Sequence, residues 1–126
     1  MEIASGRREK MEVFGNDYDT TDGTGVRDYI HVTDLATAHV KAIEYLNENE
    51  SIILNLATGE SHSVLDVINK TKEISGKNIP YHIVDRRPGD PAELYARTTL
   101  AFDQLDWKAN HSGLKSLIET TWQVYK

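Results

Sequence analysis

The stretch Gly23-Thr24-Gly25-Val26-Arg27-Asp28-Tyr29-Ile30-His31-Val32, followed by Thr33-Asp34-Leu35-Ala36, decides how this chain is read. Two glycines separated by one residue let the backbone turn sharply or lie close to a ligand. The β-branched and aromatic run Tyr29–Val32 is expected to be a short extended segment. Thr33 or Asp34 is expected to cap a helix through about Leu46, with Leu35, Ala36, Val40, Ile43 and Leu46 on a broad apolar face. A strand that feeds a helix directly marks an α/β chain.

The flanking sequence extends that pattern. Met11-Glu12-Val13-Phe14 alternates and stops at Gly15, as a strand does. Asn16 to Gly25 is polar and reads as a long loop. Ile52-Ile53-Leu54-Asn55-Leu56 is nearly continuous in apolar residues, the pattern of a strand buried on both faces. Ser63 with Asp66 forms a capping-box signal for a helix that Gly76 ends. Tyr81–Val84 reads as a strand and Ala92–Ala96 as extended chain, with Pro88-Gly89 turning between them. Thr98–Leu105 is expected to be a short helix, and Ser112 to cap a last helix carrying Leu114, Leu117, Ile118, Thr121, Trp122 and Tyr125. The fold class is α/β, a small mixed sheet with surrounding helices.

Composition limits what such a chain does. It has 126 residues, 14 Lys+Arg against 20 Asp+Glu, a net charge of −6 and no cysteine. Without cysteine there is no disulfide framework and no thiolate metal site. No apolar run approaches the roughly 20 residues that span a bilayer, and residues 1–8 lack the apolar core of a signal peptide. These features point to a cytoplasmic protein without a membrane partner. Net acidity argues against nucleic acid as a partner. The length supplies one domain, short for an enzyme that needs both a cofactor domain and a substrate domain.

Three clusters carry possible chemistry. The acidic loop Asp17-Tyr18-Asp19-Thr20-Thr21-Asp22-Gly23 has calcium-like spacing, but Asp22 falls where an EF-hand loop needs glycine, so it reads as a solvated turn. Arg27, next to the paired glycines, is placed to bind a phosphate with its guanidinium fork, although an Arg beside an Asp also makes a local ion pair. Arg86-Arg87-Pro88-Gly89-Asp90 sets two arginines on a rigid turn. There a guanidinium can hold a pyrophosphate while Asp90 accepts from sugar hydroxyls; an exposed basic turn is the plainer alternative. His31, His39, His62, His82 and His111 are scattered and form no metal-binding spacing.

Phe14-Gly15-Asn16-Asp17-Tyr18, the block from Asp22 to Val32, Asn55-Leu56-Ala57-Thr58-Gly59, Ser63–Val67 and Arg86–Asp90 together resemble the UDP-glucose 4-epimerase family of extended short-chain dehydrogenases, in order and spacing over essentially the whole chain. The resemblance covers only the C-terminal portion of that family. It implies that residues 1–126 are the UDP-sugar-binding domain of such an enzyme, without its Rossmann domain. None of the eight glycines forms GxxGxxG, and no Tyr has a Lys four residues on. NAD is therefore expected in the absent N-terminal domain, with no cofactor on this chain. The chain alone is expected to be inactive while the parent enzyme interconverts UDP-glucose and UDP-galactose in galactose metabolism.

By the same resemblance, Glu12, Val13 and Phe14 line the uracil pocket, and Arg27 and Arg87 clamp the diphosphate. Asp90 lies near the ribose, and Leu94 falls at a position that helps decide whether N-acetylated sugars turn over. No catalytic or metal-binding residue is expected. Ala57, His62 and Arg97 depart from the family pattern. Two rival readings stay open: a part of another nucleotide-sugar dehydratase or decarboxylase, and a non-catalytic UDP-sugar-binding or interaction module. The helix after Asp34 and the run Ile52–Leu56 would pack on the missing domain, so self-association through that surface is expected.

Overall fold

A computed structural model describes all residues from Met1 to Lys126. In chain order its elements are β1 (Met11–Phe14), β2 (Val26–Asp28), α1 (Val32–Leu46), β3 (Ser61–Ser63), α2 (Val64–Ser75), β4 (Tyr81–Val84), β5 (Glu93–Leu94), α3 (Thr99–Leu105) and α4 (Leu114–Tyr125). The strands form two small sheets. β1 pairs in parallel with β4, with Met11 opposite Tyr81 and Phe14 opposite Val84. β2 is the centre strand of the other sheet, antiparallel to β3 and parallel to β5. The architecture is thus α/β with small mixed sheets and four helices, as expected.

Local chemistry accounts for the helix that joins the two sheets. Ser63 Oγ accepts from the Asp66 amide at 2.9 Å, and Asp66 Oδ2 accepts from the Ser63 amide at 3.0 Å, a complete capping box at the start of α2. Gly76 closes that helix in the left-handed conformation at φ 64°. Along α2, Ile68 turns inward to meet Val13 of β1, together with Ala4 and Ile79; Met11, Val64, Leu65 and Trp122 flank this cluster. A second cluster, Ala38, Ala101, Leu105 and Trp107, joins α1 to α3. Trp107 donates its Nε1–H to the Asp34 carbonyl and to Thr37 Oγ1, each at 3.1 Å, so a buried indole keeps its hydrogen bond.

Four expectations are corrected. The strand near Tyr29 lies earlier, at Val26–Asp28, because its partners β3 and β5 align with those residues. The cap of α1 is His31 rather than Thr33 or Asp34: its imidazole Nδ1 accepts from the Thr33 amide at 3.0 Å. The cap of α4 is Gly113, since the Ser112 hydroxyl is directed instead to Asp34 Oδ2 at 2.5 Å. Ile52–Leu56 is not a strand and is not buried on both faces; Leu54 and Leu56 lean on the second cluster while Ile53 is 95% exposed. A strand exists only where a neighbouring backbone supplies its hydrogen bonds, and this segment has no such neighbour in the chain.

Candidate functional site

The loop from Asn16 to Gly25 closes on itself before β2. Tyr18 donates its amide to the Gly23 carbonyl at 2.9 Å, and Gly23 takes φ 79°. A Cβ there would stand 2.1 Å from the Asn16 carbonyl oxygen, so only glycine fits. The acids of this loop are occupied. Asp22 Oδ1 accepts from the Thr24 amide and hydroxyl, and Oδ2 accepts from Ser63 Oγ at 2.5 Å. Burial pushes the Asp22 carboxyl up, but these donors outweigh it and hold its pKa below the ordinary value. Asp17 pairs with Arg86 Nε at 2.7 Å. No group of three His, Asp or Glu side chains in the structure is placed to hold a metal ion.

Past that loop, Arg27 folds back along β2. Its Nη1 donates to the carbonyls of Val26 at 2.8 Å and Ala92 at 3.3 Å, and its Nη2 to Asp90 Oδ1 at 2.7 Å. The partner of Arg27 is therefore Asp90, not its neighbour Asp28. The Asp28 carboxylate instead accepts from the amides of Thr58 and Gly59 and from the Thr58 hydroxyl, tying down the Ala57–Gly59 segment. Gly25 allows the fold-back, because a Cβ there would stand 3.2 Å from Arg27 Nη1.

Pro88 and Gly89 form the centre of the turn that faces Arg27. The Asp90 amide donates to the Arg87 carbonyl at 3.1 Å and Gly89 has φ 81°, the geometry of a type II turn. The turn sets Arg87 and Asp90 side by side, with Arg87 Nη2 2.9 Å from Asp90 Oδ2. The same guanidinium lies over the Phe14 ring, 4.6 Å from its centre, a cation–π contact. Burial pushes the Asp90 carboxyl up, but hydrogen bonds and charge from Arg27 and Arg87 prevail and keep its pKa below the usual carboxylate value.

These residues surround a cleft of about 260 Å³ whose walls include Glu12, Val13, Phe14, Arg27, Arg87 and Asp90. Six of the seven site residues expected from the sequence thus meet at one place. The seventh, Leu94, stands opposite Arg27 in the parallel ladder but does not line the cleft and is 59% exposed. Glu12 reaches back to His82 on the neighbouring strand, with 3.7 Å between Oε1 and Nε2.

Two tyrosines that the sequence reading did not single out as site residues also line the cleft. Tyr29 follows Arg27 by two residues, a spacing that puts both on one side of an extended chain. Burial pushes its phenol pKa up, Arg27 opposes, and Asp66 adds to the rise. Tyr18 is buried beneath Arg86, whose guanidinium lies 4.1 Å from its ring centre, and its hydroxyl has no hydrogen-bond partner. Of the three departures, Ala57 is buried, and His62 lies opposite Arg27 in the antiparallel ladder with Nε2 unpartnered.

A fold of small mixed sheets flanked by helices is matched by known proteins. The family model described as GDP-mannose 4,6 dehydratase matches residues 1–121, and the chain belongs to that family. Its relatives there include UDP-glucose 4-epimerases, to whose C-terminal third this chain corresponds. It is 50% identical over 126 residues to UDP-glucose 4-epimerase of Homo sapiens, covering 99% of this chain and 36% of the human protein. It is 47% identical over 123 residues to that of Bacillus subtilis, with 97% and 36% covered.

The solved structures agree. UDP-glucose-4-epimerase from Stenotrophomonas maltophila, with bound NAD and formylated UDP-arabinopyranose, superimposes with a TM-score of 0.93 at 46% identity, covering 98% of this chain and 37% of that one. The enzyme from Bifidobacterium longum, in complex with NAD+ and UDP, gives 0.90 at 43%, with 98% and 37% covered. The chain spans a little over a third of the length of the relatives it matches.

Proposed function

We propose that this chain is the UDP-binding part of a UDP-glucose 4-epimerase, holding the nucleotide while the whole enzyme inverts the sugar at C4. The observation that carries the reading is the convergence of Arg27 and Arg87, 60 residues apart in sequence, on one carboxylate beside the Phe14 ring. Two guanidiniums a few ångströms apart match a diphosphate, which presents acceptor oxygens on both phosphorus atoms. The Phe14 ring and the β1 edge at Glu12 and Val13 form the apolar and backbone wall for the uracil. Asp90 serves the ribose, and Leu94, which lies outside the cleft, bears on the hexose end.

Inversion at C4 through a keto intermediate requires the sugar to present both faces in turn. An anchor that grips the phosphates allows this, since the hexose swings about its bonds to a fixed diphosphate. NAD supplies the hydride acceptor in the whole enzyme. The residues of this chain do not fit that cofactor: none of its four helices opens on the closely spaced glycines that cradle a dinucleotide. We accordingly expect NAD to be held outside these residues and no epimerisation by this chain alone. The same reading places the whole protein in galactose metabolism and in the cytoplasm. No helix here is long and apolar enough to cross a membrane.

Self-association belongs to the same reading. Ala42 and Leu46 of α1 form an open groove with Ile52, Leu54 and Leu56, and Ile53 projects beside it. A second copy covers this face when the rest of the enzyme does not.

The reading is tested by titrating UDP into the isotopically labelled chain and following its amide resonances. Shifts centred on Val13, Phe14, Arg27, Arg87 and Asp90 support it. Shifts elsewhere, or none, contradict it. Interconversion of UDP-galactose and UDP-glucose by the pure chain, with or without NAD, contradicts the division of labour.

A further inference from the structure

Both carboxylate oxygens of Asp90 are engaged by arginine: Oδ1 by Arg27 Nη2 at 2.7 Å and Oδ2 by Arg87 Nη2 at 2.9 Å. Two guanidiniums sharing the oxygens of one anion is the arrangement they also adopt around a bound phosphate. The three partners differ in how firmly they are held. Arg27 is fixed independently by the carbonyls of Val26 and Ala92. Arg87 has a side chain 62% exposed and no hydrogen-bond partner except Asp90. The Asp90 carboxylate makes no side-chain contact beyond the two arginines. Arg86, the remaining nearby cation, is tied to Asp17.

We infer that Asp90 is an internal counter-anion that occupies the arginine pair until a diphosphate replaces it. The inference rests on the nucleotide-anchor reading and adds to it how the anchor is kept in register when empty. No covalent bond changes. A phosphate oxygen takes the place of Oδ1 at Arg27 and of Oδ2 at Arg87, and Arg27 stays where its two carbonyls hold it. The released carboxylate, still on the Pro88-Gly89 turn, is then free to accept from hydroxyls of the ligand's sugar. One residue thus guards the site when it is empty and serves the ribose when it is full. A fixed brace, which stays between the arginines after the ligand arrives, is the alternative that the same contacts allow.

The two differ in sign. Asp90→Asn removes a negative charge that competes with the incoming anion. Titration calorimetry with inorganic pyrophosphate, which has no sugar, should show affinity about tenfold tighter for Asp90→Asn than for the wild-type chain. UDP should gain less, because it also loses the carboxylate that accepts from its ribose. Pyrophosphate binding that is unchanged, weaker or undetectable in the variant overturns the inference.

A measurement on the unaltered chain removes any dependence on how the variant folds. By carbon-detected NMR, the Asp90 carboxyl, held low in the free protein, should titrate nearer the ordinary carboxylate value once pyrophosphate is bound. No movement also overturns the exchange. Failure of the anchor reading itself looks different: UDP affinity of the wild-type chain is then absent or indifferent to Arg27→Ala, whatever Asp90→Asn does.

Discussion

Asp34 Oδ2 accepts the hydroxyl of Ser112 at 2.5 Å, joining the first turn of α1 to the residue before the cap of α4. Asp34 is 1% exposed and also accepts from the amides of Asn110 and His111 at 3.1 and 2.9 Å. Burial pushes its carboxyl up, but Ser112, the two amides and the charge of His111 outweigh burial and hold the pKa below the ordinary value. A depressed native pKa makes the charged form stabilising. That stability is present above about pH 4 and drains away as pH falls through the native value. Asp34→Asn should destabilise the chain by about 3 kcal/mol near neutrality and flatten its loss of stability on acidification. Denaturant melts between pH 2.5 and 7 check both; parallel curves for wild type and variant would remove Asp34 from the account.

Ser63 caps α2 and also donates to Asp22 across the loop. Ser63→Ala removes the cap and strips a donor from the exposed Asp22 carboxylate, which water then solvates, so the expected loss is about 1 kcal/mol. Ser63→Asn, which restores a cap acceptor, should recover part of it. Chemical denaturation measures the difference, and a loss below about 0.5 kcal/mol would show that neither bond matters.

Gly25 makes room for the Arg27 guanidinium. Gly25→Ala should push the Arg27 guanidinium a few tenths of an ångström from its place against the Val26 and Ala92 carbonyls while leaving both core clusters alone. The expected outcome is UDP affinity reduced about tenfold, with a melting temperature within a few degrees of wild type. Equal loss of affinity and of fold would mean that Gly25 serves the backbone only.

The face built from α1 and Ile52–Leu56 should associate. Sedimentation velocity across a hundredfold range of concentration is expected to show a monomer–dimer equilibrium, abolished by Ile53→Asp. A monomer at every concentration would contradict it.

The parts of the fold legible in the sequence are those fixed within a few residues. Ser63, Asp66 and Gly76 announce α2 because a cap and a terminator act locally. Met11–Phe14 alternates because Met11 and Val13 face the first cluster, whereas Tyr81–Val84 is held as a strand by its pairing with β1. Ile52–Leu56 misled because apolar composition does not say whether a strand has a neighbour, and here it has none. His31 is not legible as a cap because imidazole is an uncommon one. Ser61–Ser63 went unread as a strand because it is short and polar and exists only by pairing with β2.

At the site, Arg27, Arg87 and Asp90 stood out as chemistry. Their union did not: Arg27 and Asp90 are 63 residues apart in sequence, and nothing local distinguishes that partner from Asp28. The family resemblance placed them near one ligand, and the fold supplied the contact.

The central claim is that two arginines anchor a UDP-linked sugar. Calorimetric titration of UDP into the wild-type chain and into Arg27→Ala and Arg87→Ala tests it most directly. Saturable binding to wild type, weakened at least about tenfold by each substitution with the fold retained, is the predicted result. No binding to the wild-type chain, or binding that both alanine variants leave unchanged, would contradict it.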